Sequence, residues 1–302
     1  MNPIEFLADL ANPQLAFLSR ALLMAILSAV LCGIVGSHIV VRGLSFVGDA
    51  LSHAVFPGIA VAFATGTSTL LGGAIAGVIV ALLIALFSRR KTVGEDSIIG
   101  ILFAAAFSVG LVIVSRMPTY TGSLESLLFG SLTGVTGADL LTVAISGALI
   151  LTVLAIFHRG IVAVSFDREY AQTLGYRAGL IDVVLYVATA LAVVVSVSTV
   201  GNILVLALLV GPPATARLLT RRISAMTALS AMLGTLAALV GLWVSWSWSV
   251  PTGAALVLAI TAEFILVWIF QSLHAVRTSL KTIQKRLTKS INAKKKSEAV
   301  AR

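Results

Sequence analysis

The chain has 302 residues, of which 59% are hydrophobic and only 11% charged. A water-soluble domain carries about 25% charged residues, so a soluble globular fold is excluded: there is too little charge to cover a water-facing surface. The formal net charge is +9, but its positive residues fall in short segments between apolar runs and in the C-terminal tail, which is the pattern of cytoplasmic loops in a membrane protein and not of a nucleic-acid-reading surface.

Apolar runs of the roughly 20 residues that cross a bilayer recur along the chain, so the expected fold is all-α, a polytopic integral membrane protein with about eight to nine transmembrane helices. They cover about 16–41, 44–65, 69–88, 96–115, 137–157, 180–200, 202–219, 224–246 and 252–273. The first run is too long for a signal-peptide core and is expected to stay as a helix. Cys32 is the only cysteine; it can form no intrachain disulfide and reads as an apolar filler. The connections after the third, fifth and seventh runs carry Arg89, Arg90 and Lys91, then Arg159, Arg168 and Arg177, then Arg221 and Arg222. This alternation puts those connections, Arg42 and the C-terminus in the cytoplasm and the N-terminus outside.

Two stretches interrupt the pattern. Met117 to Gly137 is rich in Gly, Ser and Thr around an apolar centre too short to span, and reads as a re-entrant or interfacial piece on the outer side. Val200 to Arg217 contains Pro212-Pro213, which removes two backbone donors and predicts a broken helix. A break at membrane depth must be buried in protein or line a cavity, so the pair reads either as a pathway wall or as a helix end near the cytoplasm. Gly73 and Gly77, four apart, suit close helix packing. The division is a transmembrane domain over 1–275 and a basic cytoplasmic tail over 276–302, with Leu280, Ile283, Leu287 and Ile291 at helical spacing among Lys281, Lys285, Arg286 and Lys289. Such a helix is expected on anionic lipid of the inner leaflet.

Few ionisable residues lie within the runs: His38, Asp49, His53, Asp182 and Glu263. A charge near the bilayer centre costs roughly 2.5–3.5 kcal/mol on insertion scales, so such groups face a cavity or a partner. Asp49 and His53 stand at i and i+4 in "GLSFVGDALSHAVFPG", which stacks their side chains on one helix face. A carboxylate and an imidazole there fit Mn²⁺, Zn²⁺ or Fe²⁺ and give no preference for Cu(I). They fit equally a self-satisfied Asp–His hydrogen bond. Two ligands fall short of the closed shell of a structural site, but a transported ion must also leave. Ser52 adds an oxygen or bonds back to its own helix. Glu263 completes a site, lines an ion path or pairs with a neighbouring helix; His38 faces His53 or occupies the interface; Asp182 is close enough to the inner end to be solvated. Pro57-Gly58, just after His53, would loosen the helix there.

The sequence has no G-x-x-x-x-G-K-[ST], H-E-x-x-H or G-x-S-x-G motif, so no catalytic role is expected and ATP, if used, is bound by another subunit.

"LSFVGDALSHAVFPGIAVAF" resembles the signature of the membrane permeases of ATP-binding cassette importers for manganese, zinc and iron. The resemblance continues through "GEDSIIGILFAAAFSVGL", "SLLFGSL", "VSFDREYAQTLGYRAG" and "VGNILVLALLVGPPATARLL", in order, over most of residues 16–270. It implies a permease homodimer in a bacterial or archaeal plasma membrane, with two cytoplasmic ATPase subunits and an extracytoplasmic metal-binding protein. No cofactor is expected beyond the metal ion carried as substrate. It also implies that Asp49 and His53 lie on the metal path. About residues 165–179 would form the segment that couples to the ATPase, with Asp167, Glu169, Tyr170 and Gly175 as its candidates. The amphiphilic connection itself agrees, and Gly175 suits the end of a short helix. His38, Glu263 and the basic tail match no motif of the family. The alternatives are a permease for iron-siderophore or cobalamin, which has no need of an Asp–His pair, and an ion-gradient-driven transporter acting without an ATPase.

Overall fold

The computed structural model describes residues 3–89, 93–116 and 132–274. Much of the Met117–Gly137 stretch, Arg90 and Lys91, and the basic tail over 276–302 lie outside the described residues. The helices are α1 (Pro3–Leu10), α2 (Ala16–Val41), α3 (Phe46–Ala54), α4 (Phe56–Ala64), α5 (Thr69–Phe87), α6 (Glu95–Ser115), α7 (Gly137–Phe166), α8 (Arg168–Thr173), α9 (Ala178–Val200), α10 (Asn202–Leu219), α11 (Ile223–Trp248) and α12 (Thr252–His274). Among the described residues, nine spans are long and apolar enough to cross a membrane, with α3 and α4 together making one of them.

The bundle is built around α2 and α9. Their most apolar stretches are 67% and 72% buried, against 17% for α6 and for α12. α2 packs on α7, α9, α10 and α11, while α9 packs on α2, α3, α5 and α7. Small residues set these approaches, as expected where lipid offers no hydrophobic drive between helices. Gly73 and Gly77 of α5 meet Ile59, Val55, Val194 and Ala190, so the pair serves the α5 contacts with α4 and α9. Gly58 and Gly72 face each other across α4 and α5 so closely that a Cβ on either would overlap the other's carbonyl oxygen.

The proline pair does not break its helix. α10 runs unbroken from Asn202 to Leu219 with Pro212 and Pro213 inside it. Pro213 removes the donor that the Leu209 carbonyl would otherwise use. Against that carbonyl lies Gly36 of α2, whose added Cβ would sit 2.8 Å from the Leu209 carbonyl carbon and overlap its oxygen. Tight packing against α2 holds the helical course that local propensity alone would interrupt.

Two further differences follow from capping and tertiary contact. α7 extends to Phe166, well past the apolar run, because a helix need not stop where hydrophobicity does; its start is fixed by a capping box between Thr136 and Asp139. α1, not anticipated from the sequence, is tied down by Trp246 Nε1 donating to Asp9 Oδ2 at 2.9 Å and by buried Phe6.

Candidate functional site

The second span is two rods. α3 ends at Ala54, Val55 takes φ −79 and ψ −13, and α4 starts at Phe56 with Pro57 in its first turn. Pro57 offers no N–H to the His53 carbonyl four residues back, so the ladder is interrupted directly after His53. The break therefore falls two residues before the expected Pro57-Gly58, and Gly58 serves the contact with α5.

Asp49 and His53 share one face of α3. Asp49 Oδ1 lies 3.7 Å from His53 Nε2, with the side chains 31% and 28% exposed. The imidazole is flanked by Phe103 and Phe107 of α6, each with its ring centre 5.6 Å away. From the other side comes Asn202, the first residue of α10, whose amide nitrogen is 3.0 Å from His53 Nε2 and 3.4 Å from Nδ1. Asn202 is positioned by the one-residue turn at Gly201, where φ is +86; a residue with a Cβ is strained in that conformation. Asp49 also borders a mainly apolar cavity of about 570 Å³ between α3, α10 and α12, whose walls include Phe46, Ala207, Val210, Thr261 and Phe264.

The other candidates do not join the pair. Ser52 donates its hydroxyl to the Asp49 carbonyl at 2.7 Å, the bond back to its own helix. His38 is buried and stands edge-on to His158 of α7, 5.4 Å between ring centres. Both carboxylate oxygens of Glu263 are buried with no hydrogen-bond partner among the described residues, so the expected pairing with a neighbouring helix is not seen there. No group of three or more His, Cys, Asp or Glu side chains converges among the described residues. Asn202 went unnoticed in the sequence; the available signal was a polar residue next to a glycine at the junction of two apolar runs.

Residues 14–271 match the family described as the ABC 3 transport family. The chain belongs to that family. It is 38% identical over 263 residues, 87% of this chain and 90% of the relative, to the manganese transport system membrane protein MntC of Halalkalibacterium halodurans. It is 31% identical over 270 residues, 88% of this chain and 92% of the relative, to the chelated iron transport system membrane protein YfeC of Yersinia pestis. A solved structure of PsaBC from Streptococcus pneumoniae in complex with Fab superposes with a TM-score of 0.77 at 31% identity, covering 88% of this chain and 95% of that one.

In this ABC 3 family chain a second polar cluster lies at the other end of α9. Asp182 is 4% exposed, not solvated as its sequence position suggested. Its two oxygens each meet an arginine at 2.7 Å: Arg42, just after α2, and Arg168, the first residue of α8. Arg42 also donates to Ser165 Oγ at 3.0 Å. Solvation was the wrong inference because both cations come from segments folded over the helix end. The cluster is about 27 Å from the His53 end of α9, counting 1.5 Å per residue from Asp182 to Val200.

α8 is framed by its own caps. Asp167 accepts from the Tyr170 N–H at 2.9 Å, an N-cap. Gly175 has φ +86, and the bonds Gly175 N–H to Gln172 O and Tyr176 N–H to Ala171 O make a Schellman end. Phe166, Tyr170 and Leu174, four apart, are 65%, 60% and 55% exposed.

Proposed function

We propose that the chain is the membrane permease of an ATP-driven importer for divalent transition metal ions, Mn²⁺, Zn²⁺ or Fe²⁺, with the ion passing by way of Asp49 and His53. The observation that carries this reading is the carboxylate–imidazole pair, about 30% exposed, at a helix break beside a cavity. The cost of placing such groups in a span is met by a use for them. Two protein donors with an open side suit an ion that must bind and leave. A carrier of bulky chelates would have no use for the pair, and the manganese relative supports the same substrate class.

Transport on this reading is alternating access between two copies of the chain, fed by an extracytoplasmic metal-binding protein and driven by separate ATPase subunits. The arginine-bearing end is cytoplasmic by the positive-inside rule, which places the C-terminus there and its basic tail on anionic lipid. α8, with Tyr170 and Leu174 exposed next to Phe166 at the end of α7, presents the surface an ATPase subunit would grip, and Arg168–Asp182–Arg42 ties that surface to the segment entering α3. The chain itself performs no catalysis.

The test is reconstitution into proteoliposomes with and without the ATPase subunit, following Mn²⁺, Zn²⁺ and Fe²⁺. ATP-dependent accumulation that needs the ATPase supports the proposal. Uptake by the chain alone down an ion gradient would overturn it.

A further inference from the structure

The pair leaves the ion short of protein donors, and the missing donor stands next to it. Asn202 is 7% exposed, and its amide oxygen is buried with no hydrogen-bond partner among the described residues. A buried acceptor left unpaired is costly and calls for an explanation, a bound ion among them. Its amide nitrogen meets His53 Nε2 at 3.0 Å, the same nitrogen that Asp49 Oδ1 approaches at 3.7 Å.

We propose that Asn202 supplies a third protein donor to the transported ion, its amide oxygen joining Asp49 and His53 Nε2 around one divalent cation. Donors bound to a single ion at about 2.1 Å lie roughly 3.0–3.4 Å apart in octahedral or tetrahedral geometry. The amide group is already at that spacing from Nε2, and the carboxylate reaches it with a small inward turn. A half-turn of the carboxamide exchanges nitrogen for oxygen in nearly the same volume. Without an ion the amide nitrogen rests against the imidazole, 3.0 Å from Nε2 and 3.4 Å from Nδ1; with one, the oxygen faces the cation. The side chain therefore has a partner in each state, and the open side of the site leaves positions for water.

The resulting set, one imidazole nitrogen and two oxygens, is harder than the pair alone. It suits Mn²⁺ and Fe²⁺ and contains nothing soft enough to favour Cu(I). This proposal rests on the reading of Asp49 and His53 as the metal path, so the experiment separates the two.

Mn²⁺ binding to the purified permease–ATPase complex is measured by electron paramagnetic resonance, from the loss of the free-ion signal. Asn202→Leu should weaken binding by at least the roughly 10–100-fold that removing even an outer-sphere partner costs. Asn202→Asp, which keeps an oxygen and loses the N–H donor, should bind at least as tightly as wild type. Wild-type binding by Asn202→Leu, or a loss in Asn202→Asp as large as in Asn202→Leu, would overturn the third donor. If Asp49→Ala and His53→Ala also bind normally, the metal-path reading falls with it; if only those two lose binding, the third donor alone falls.

Discussion

Replacing Asp182 with asparagine should destabilise the fold far more than removing Arg168, the exposed partner in the cluster. Asp182 and Arg42 expose only 5% and 8% of their side chains, whereas Arg168 exposes 30%. With the carboxylate's charge gone, Arg42 keeps Ser165 Oγ at 3.0 Å and a neutral amide oxygen but no counter-charge, and one of its terminal nitrogens already lacks a partner. Breaking a buried pair and stranding one charge costs about 3–5 kcal/mol. The Arg168 contact, partly solvated, is expected to contribute about 0–1 kcal/mol. Asp182→Asn should therefore lower the thermal unfolding midpoint in detergent strongly, and Arg168→Gln only slightly. The double variant Arg42→Met/Asp182→Leu should recover much of the loss, because the one charge it leaves unpaired, Arg168, is partly solvated. An Asp182→Asn protein as stable as wild type, or an Arg168→Gln protein equally damaged, would refute the argument that the buried pair carries the stabilisation.

Two smaller perturbations test the packing and the proposed coupling element. Gly36→Ala should cost about 1–3 kcal/mol, since the methyl would overlap the Leu209 carbonyl and force α2 and α10 apart. Gly137→Ala, at the first position of α7 where nothing lies within 4 Å, should not lower stability in the same thermal assay. Asp167→Ala should loosen α8 by the ~0.5–2 kcal/mol of a lost N-cap and reduce recovery of the ATPase subunit on co-purification. Asp167→Asn, which still caps, should not; equal loss in both would make charge, and not the cap, the reason for the residue.

The spans were legible because each is an apolar run of bilayer length, and that signal is local. The breaks were not, because proline acts through its surroundings. Pro57 interrupts its helix after His53, yet Pro212 and Pro213 leave α10 continuous, held by close packing at Gly36 that lies far away in sequence. That Asp49 and His53 share a helix face could be read from i, i+4 spacing, while their place on a metal path was drawn from the family resemblance. Asn202 could not be joined to the pair, since a turn at Gly201 and the packing of α10 on α3 bring it there. Asp182 was misread for the same reason: counting residues from a helix end gives depth but says nothing of the arginines that close over it. His53 lies against the Gly201 turn, at the opposite end of α9 from Asp182.

The central claim is that the ion passes Asp49 and His53. It is tested most directly by ATP-driven Mn²⁺ accumulation in proteoliposomes holding the permease, its ATPase and the metal-loaded binding protein. The account predicts that Asp49→Ala and His53→Ala each abolish accumulation while assembly and ATP hydrolysis persist. Undiminished accumulation in both variants would contradict it.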